Sequence, residues 1–428
     1  MELKEGYKQT DIGVIPQEWE VYPLRSISSM NGRIGWQGLN QTEFTMNPDE
    51  PFLITGMNFK DGEIRWNEVY HISVERYELA KQIQLKENDV LITKDGTIGK
   101  LLHVDKIPYP HKASLNSHLL VFRPLNRKYV SKFLFYQLDS KAFKNHIELE
   151  KSGTTFFGIT QEAVGKYLAF VPPISEQKAI AQVLSDTDAL ITALDALIAK
   201  KRLIKQGTMQ ELLTGKRRLE GFTEGWTVKK LEELCIKKGL VRGPFGGALK
   251  KDIFVEQGFK VYEQRNAIYG NTILGNYFVD ELKYIELKRF QVSVKDFIVS
   301  CSGTIGKIYQ IPENAPEGII NQALLKIALD SDIIDENFFF HYFIWDKFQE
   351  KIIDSTQGGA MKNLVGMSVF KTTEIFMPST VIEQKAIAQI LSDMDTEIAT
   401  LEAKRDKYKQ VKQGMMQELL TGKTRLTT

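Results

Sequence analysis

An α+β fold built twice, with two mixed α/β domains separated by two long antiparallel coiled-coil helices, follows from three observations. The stretch EQKAIAQVLSDTD beginning at Glu176 returns as EQKAIAQILSDMD from Glu383, 207 residues later, and the ungapped match runs on to Leu219 and Leu426 with 28 of 44 positions identical. A repeat of that length is a property of the whole fold. The same offset relates Trp19 to Trp226, Tyr77 to Tyr284 and Asp89 to Asp296, and GTIGK occurs at Gly96–Lys100 and Gly303–Lys307. After small insertions Asn58, Gly62 and Asn116 match Asn266, Gly270 and Asn321. Finally, the apolar period differs between segments: short runs broken by Gly, Asp and Asn in the large segments, a near seven-residue recurrence in the repeated ones. Halves equivalent about a pseudo-two-fold axis pair their helices antiparallel, which places the large domains at opposite ends of a rod.

In the first large segment DVLIT from Asp89, a Lys-Asp-Gly-Thr turn and IGKLLHV predict a hairpin; the second copy reads DFIVS, Cys-Ser-Gly-Thr, IGKIYQI. Short helices are expected at Ser131–His146 and Asn337–Ile353, which makes each segment a mixed domain of roughly 170 residues. The first long helix is expected from about Pro173 to Thr214, with a pairing seam of Val183, Leu190, Leu194, Leu197 and Ile204 that also contains Thr187 and Lys201. In the second the seam is Ile390, Met394, Leu401, Tyr408, Val411 and Met415. Pro172-Pro173 precedes the first start, and Thr380 with Glu383 has the spacing of a capping box at the second. Thr214–Lys216 and Thr421–Lys423 put a glycine where a left-handed cap belongs. Interior Gly207 and Gly414 cost about 1 kcal/mol each relative to alanine, and their recurrence suggests a close helix crossing or a bend. Lys200, Lys201, Arg202 and Lys205 read as a solvated face that suits the helix dipole, or as a docking surface.

Composition is that of an ordinary globular protein, with 43% hydrophobic and 26% charged residues. A net charge of +2 leaves nucleic-acid binding to local basic patches or to a cationic partner. No apolar run of about 18 residues predicts a membrane span, and MELKEGYKQTDIG lacks the apolar core of a signal peptide. With only Cys235 and Cys301, a cytoplasmic location is expected. GTIGK is not a phosphate loop: two residues rather than four separate its first glycine from Gly-Lys, and Leu101 or Ile308 follows instead of Ser or Thr. The six histidines lack metal-ligand spacing, and neither an Asn-Pro-Pro-Tyr tetrapeptide nor a nucleophile–base constellation is present. These features describe a binding protein.

The opening Thr10-Asp-Ile-Gly-x-Ile-Pro-x-x-Trp19, the twice-used GTIGK, the two EQKAIAQ helix starts and the two MQELLTGK ends at Met209 and Met416 resemble the specificity (S) subunit of type I restriction–modification enzymes. The motifs cover nearly the whole chain, and their combination is specific. The resemblance implies target-recognition domains at 1–172 and 220–379 and long helices at 173–219 and 380–428. Expected partners are double-stranded DNA read as a bipartite target, two methyltransferase (modification) subunits and restriction/translocase subunits. It implies no catalysis and no cofactor in this chain, with S-adenosylmethionine on the methyltransferase partner.

Candidate DNA contacts follow from residue chemistry. In Asn31–Gly38, Arg33 and Gln37 are suited to bidentate bonds with guanine and adenine, and Trp36 is either a base contact or an anchor of an ordinary loop. The second copy reads Arg242 to Lys250, with Arg242, Phe245 and Lys250 in the same roles, so the two half-targets should differ. Lys94, Lys100 and Lys307 flank the hairpin turns, where a shared role in turn geometry or backbone positioning is favoured. Asn116, Arg265, Gln322 and Lys362 are further candidates. A stand-alone DNA-modifying enzyme would need catalytic motifs absent here, and a coiled-coil scaffold leaves two divergent domains unexplained.

Residues 1 to about 219, expressed alone, lose the helix that covers Val183, Leu190, Leu194 and Leu197, and each fully buried Leu or Val is worth about 1.5–3 kcal/mol. A second copy of the matching helix can replace it. The fragment is expected to sediment as a symmetric homodimer and, with its methyltransferase, to modify an inverted repeat of the first half-site; a folded monomer contradicts this.

Overall fold

The computed structural model describes residues 5–33, 38–60, 62–152, 157–354 and 363–426. The chain divides into two compact units, residues 1–195 with 403–428 and residues 196–402. Each unit therefore contains one large domain, the first half of the long helix that follows it and the second half of the other long helix. The long helices run Ile174–Leu212 and Val381–Leu419, 39 residues each.

Both domains use one plan. In the first, an antiparallel sheet has the order Leu101–His103, Val90–Thr93, Leu119–Pro124, Ser28–Gly32. Its counterpart joins Ile308–Gln310, Phe297–Ser300, Leu324–Leu329 and Cys235–Arg242 in the same order. A second sheet contains a parallel pair, Ala113–Leu115 on Phe52–Ile54 in one domain and Gly318–Ile320 on Phe259–Tyr262 in the other. Each domain is closed by pairing its ends, Glu20–Pro23 with Leu168–Val171 and Trp226–Lys230 with Glu374–Pro378.

The central strands are largely apolar on both faces because both faces are covered, with Lys326 the exception in Leu324–Leu329. Val90, Ile92, Leu120 and Phe122 pack on the helical layer of Leu134, Leu138, Phe143 and Ile147. Leu91, Leu119 and Val121 face Phe52, Ile54, Ala113 and Leu115 of the second sheet. In the other domain Phe297, Val299, Leu325 and Ile327 meet Phe338, Phe339 and Phe343, while Ile298 and Leu324 meet Tyr262 and Ile320. The expected hairpins form at both places, and Asp89 and Asp296 recur because each accepts the N–H three residues earlier, from Lys86 and Ser293, at 2.8 Å.

Within each unit the helix halves run antiparallel. In the first, Lys412 pairs with Asp188 at 2.6 Å and Arg405 with Asp195 at 3.3 Å. In the second, Lys201 pairs with Glu397 at 2.6 Å, and Arg202 and Lys205 pair with Glu402 and Asp395. The basic run is thus not simply solvated: three of its members neutralise acids on the facing helix. The expected seam needs correction. Leu194 is buried and Ile390, Met394, Leu401 and Tyr408 are half-buried, but Val183, Leu190, Leu197, Ile204 and Val411 are exposed. The buried stripe lies one residue on, at Leu184, Ile191 and Ile198. The reason is that a long helix must cover its domain as well as its partner helix, and Ile180, Ala181 and Leu184 pack on Trp19, Phe133 and Tyr136. The seam side does reach the other helix, with the Thr187 hydroxyl 4.0 Å from the Met415 sulfur, but as the margin of the contact. Gly207 and Gly414 mark no close crossing: a Cβ at either would meet nothing within 4 Å.

The repeated Glu-Gln at the helix starts has a physical cause. Glu176 accepts from Trp19 Nε1 at 2.9 Å and from Arg425 Nε at 2.7 Å. Glu383 accepts from Trp226 Nε1 at 3.3 Å and from Arg218 Nε at 2.8 Å. The expected capping box at Thr380 is therefore half formed: Glu383 N–H reaches Thr380 Oγ1 at 3.5 Å, but its carboxylate is held by Arg218 and Trp226. Gln177 and Gln384 accept from Val130 and Asp335 N–H, both at 2.8 Å, and so fix the start of a domain helix. The arginines arrive because Gly215 (φ 67°) and Gly422 (φ 72°) take the predicted left-handed conformation and turn the chain back.

Arg425→Ala and Arg218→Ala each strand a buried carboxylate, and each is expected to destabilise its own unit by about 1.5–3 kcal/mol in urea unfolding. Burial favours protonation of Glu176, but Arg425, Trp19 and the Leu426 N–H hold its pKa below the usual value. Its contribution is present above the ordinary carboxylate pKa and lost as pH falls through the depressed one, so the Arg425→Ala deficit should shrink below about pH 4. A deficit unchanged down to pH 2 contradicts this assignment.

Candidate nucleic-acid interface

The loops that differ between the copies emerge at one end of the sheets. In the second domain the strand ending at Arg242 is followed by Gly243, whose N–H donates to Leu324 O at 2.9 Å. A Cβ on Gly243 would lie 1.8 Å from Asn321 O, so glycine alone permits this approach. The strand Phe259–Tyr262 ends in Glu263, which begins the short helix Gln264–Tyr269. Asn266, fully buried, accepts from Glu263 N–H at 2.7 Å and donates to Asn271 O and Leu274 O, both at 2.8 Å. Glu263, Gln264, Arg265, Ile268, Tyr269, Leu274, Asn321 and Ala323 enclose a cleft of about 490 Å³.

The first domain reproduces this frame. Thr55 follows the strand Phe52–Ile54, and its N–H donates to Asn58 Oδ1 at 2.8 Å. Asn116 and Asn321 play one role: each N–H donates at 2.9 Å, to Ile54 O and Tyr262 O, and each Oδ1 accepts from the N–H two residues on at 3.0 Å. The GTIGK turns are equally matched. Gly99 and Gly306 N–H reach Thr93 O and Ser300 O at 2.9 Å, and Lys100 and Lys307 N–H reach the Thr93 and Ser300 hydroxyls at 3.0 Å. This is backbone geometry common to both halves, while the Lys100 and Lys307 side chains remain exposed and Lys94 is half-buried.

The expected contact residues divide accordingly. Arg33 is not a surface reader: it is 5% exposed, its Nε donates to Leu115 O at 2.9 Å and its Nη2 to Ser114 Oγ at 3.1 Å. Burial, reinforced by Arg76, pushes its pKa down to about 10. Arg242 is half-buried beside Cys301, whose thiol burial pushes up to about 11 against the pull of the guanidinium. Phe245, 78% exposed, with Lys250, Arg265 and Gln322, stands at the surface. Trp36, Gln37 and Lys362 lie outside the described residues. Sequence reasoning missed Gln264, whose signal was its place two residues before the repeated Asn266. Among the described residues no group of His, Cys, Asp and Glu could hold a metal ion, and no helix is long and apolar enough to cross a membrane.

The family model for the type I restriction modification DNA specificity domain matches residues 16–202 and 223–412. The chain is 26% identical over 363 residues to the type I restriction enzyme MjaVIII specificity subunit of Methanocaldococcus jannaschii, covering 81% of both chains. In fold it is similar to the S subunit of a type I restriction–modification system from M. genitalium, with a TM-score of 0.56, 15% identity and 98% of both chains covered. It is also similar to a chain from a structural study of assembly and conformational transition in the type I R-M system, with a TM-score of 0.58, 14% identity and coverage of 96% and 99%.

Arg33→Ala deletes a buried cation together with its hydrogen bonds to Leu115 O and Ser114 Oγ and is expected to lower stability by about 1.5–3 kcal/mol while leaving base preference intact. Unfolding and the methylation pattern of the reconstituted complex together check this; a changed base at normal stability contradicts it.

Proposed function

Because the chain belongs to the family of type I restriction–modification DNA specificity subunits, we propose that it reads an asymmetric bipartite target on double-stranded DNA through domains at 1–172 and 220–379. The subunit is non-catalytic. Its long helices, at 173–219 and 380–428, serve to dock two methyltransferase subunits, which carry S-adenosylmethionine, and restriction/translocase subunits complete a cytoplasmic complex. The observation that carries this reading is the matched frame with unmatched loops: Asn58 and Asn266, Asn116 and Asn321, and both GTIGK turns make the same backbone bonds. The side chains displayed around them differ. Backbone positioning is shared by all targets, whereas base-edge chemistry sets sequence. Exposed Leu197, Leu203, Ile204 and Ile382 on the long helices offer apolar surface for partner helices.

Purified chain with S-adenosylmethionine or magnesium is expected to turn over no DNA. Addition of its methyltransferase should yield methylation at a split site whose halves differ in sequence. Turnover by the chain alone, or a palindromic site, contradicts the proposal.

A further inference from the structure

The residue pair between the strand end and the repeated asparagine is Gly56-Met57 in the first domain and Gln264-Arg265 in the second. We infer that this pair is a base-reading position, set apolar in the first domain and hydrogen-bonding in the second, and that the side chain at the head of the neighbouring hairpin turn decides which type fits. The inference rests on the DNA-specificity reading above.

Space decides the first residue. A Cβ on Gly56 would lie 2.8 Å from the Thr93 γ-methyl, so the site excludes a side chain. The second domain has Ser300 where the first has Thr93; it keeps the hydroxyl that holds the turn, donating to Thr304 O at 2.6 Å, but lacks the methyl. A glutamine then fits. Gln264 lines the cleft, and its Nε2 is the nearest group to a Cβ built on Gly303, at 3.9 Å. Its buried Oε1 meets no donor among the described residues. A buried acceptor left without a partner is costly, a cost that a donor on a ligand in the cleft would remove, and an amide suits adenine, accepting from N6 and donating to N7.

The second residue of the pair points outward in both copies. Met57 is 84% exposed and offers only apolar contact, of the kind a thymine methyl accepts. Arg265 is exposed and rests 3.3 Å from Glu263 Oε2, and an exposed guanidinium has the chemistry of a bidentate contact with guanine. Tyr269, 73% exposed on the same short helix, walls the cleft. The buried Asn266 fixes the backbone beneath the pair, so the pair can be exchanged on the same frame once the residue at the hairpin turn is exchanged with it.

The test uses the full chain reconstituted with its methyltransferase, with methylated DNA sequenced from a randomised plasmid library. Gln264→Ala and Arg265→Met should each relax one position of the second half-site by about 5- to 150-fold, the range of a lost bidentate contact, with the first half-site unchanged. The graft Gly56→Gln with Met57→Arg and Thr93→Ser should impose a new base preference in the first half-site alone. Should Gln264→Ala lower the melting temperature, Arg265→Met and the graft decide. Variants that keep the wild-type motif, or lose discrimination equally in both halves, overturn the inference while the DNA-specificity reading stands. Wild-type complex that methylates no defined site overturns that reading first.

Discussion

The structure depends on one interaction made twice: a buried carboxylate at the start of a long helix, held by a tryptophan at the head of the strand that closes a domain and by an arginine from the tail of the other helix. The carboxylate could not stay charged and buried without that arginine. Glu176 and Glu383 therefore tie three separate stretches of chain together, and the adjacent Gln177 and Gln384 add a fourth, the start of a domain helix. The surface ion pairs along the helices are weaker, being partly solvated. Below the carboxylates a domain helix contacts the long helix in both copies, the Tyr136 hydroxyl donating to Asp188 at 2.9 Å and His341 Nε2 lying 3.0 Å from the Ser392 hydroxyl. Burial and Lys205 lower the His341 pKa to about 4, so that ring is neutral in the fold.

The duplication, the hairpins, the helix ends and the left-handed glycines were legible in the sequence because each rests on local chemistry that repetition makes visible. The seam was misjudged for the opposite reason. A heptad count assumes one partner, whereas Ile180, Ala181 and Leu184 serve a second surface, which rotates the buried stripe by one residue. Arg33 was misjudged because a charged residue beside glycines looks like a loop residue, and nothing local shows that Ser114 and Leu115, far away in sequence, receive it. Gln264 was invisible until the asparagine frame showed which positions of the two domains occupy the same place.

Duplication separates two demands that a single site would set against each other. The frame needs fixed backbone bonds, supplied by buried amides and glycines, and these leave few side chains free to change. Readout needs side chains that vary while the frame holds, and the second residue between cap and asparagine meets that need, Met57 and Arg265 both being exposed, whereas the first varies only together with Thr93 or Ser300.

The division of the long helices between units also affects the order in which the protein is made. Residues 196–402 form one uninterrupted stretch, whereas the other unit draws on 403–428 as well as 1–195. Synthesis proceeds from the N-terminus, and domains generally fold as they emerge. Here the domain made first waits for a distant residue: Trp19 and Glu176 are in place early, yet Arg425 follows 249 residues after Glu176. The later-made unit already has Arg218, Trp226 and Glu383 once its own stretch is complete. Until Arg425 is made the start of the first helix holds a carboxylate without its arginine, whereas the later-made unit finds its own arginine within a single stretch of chain.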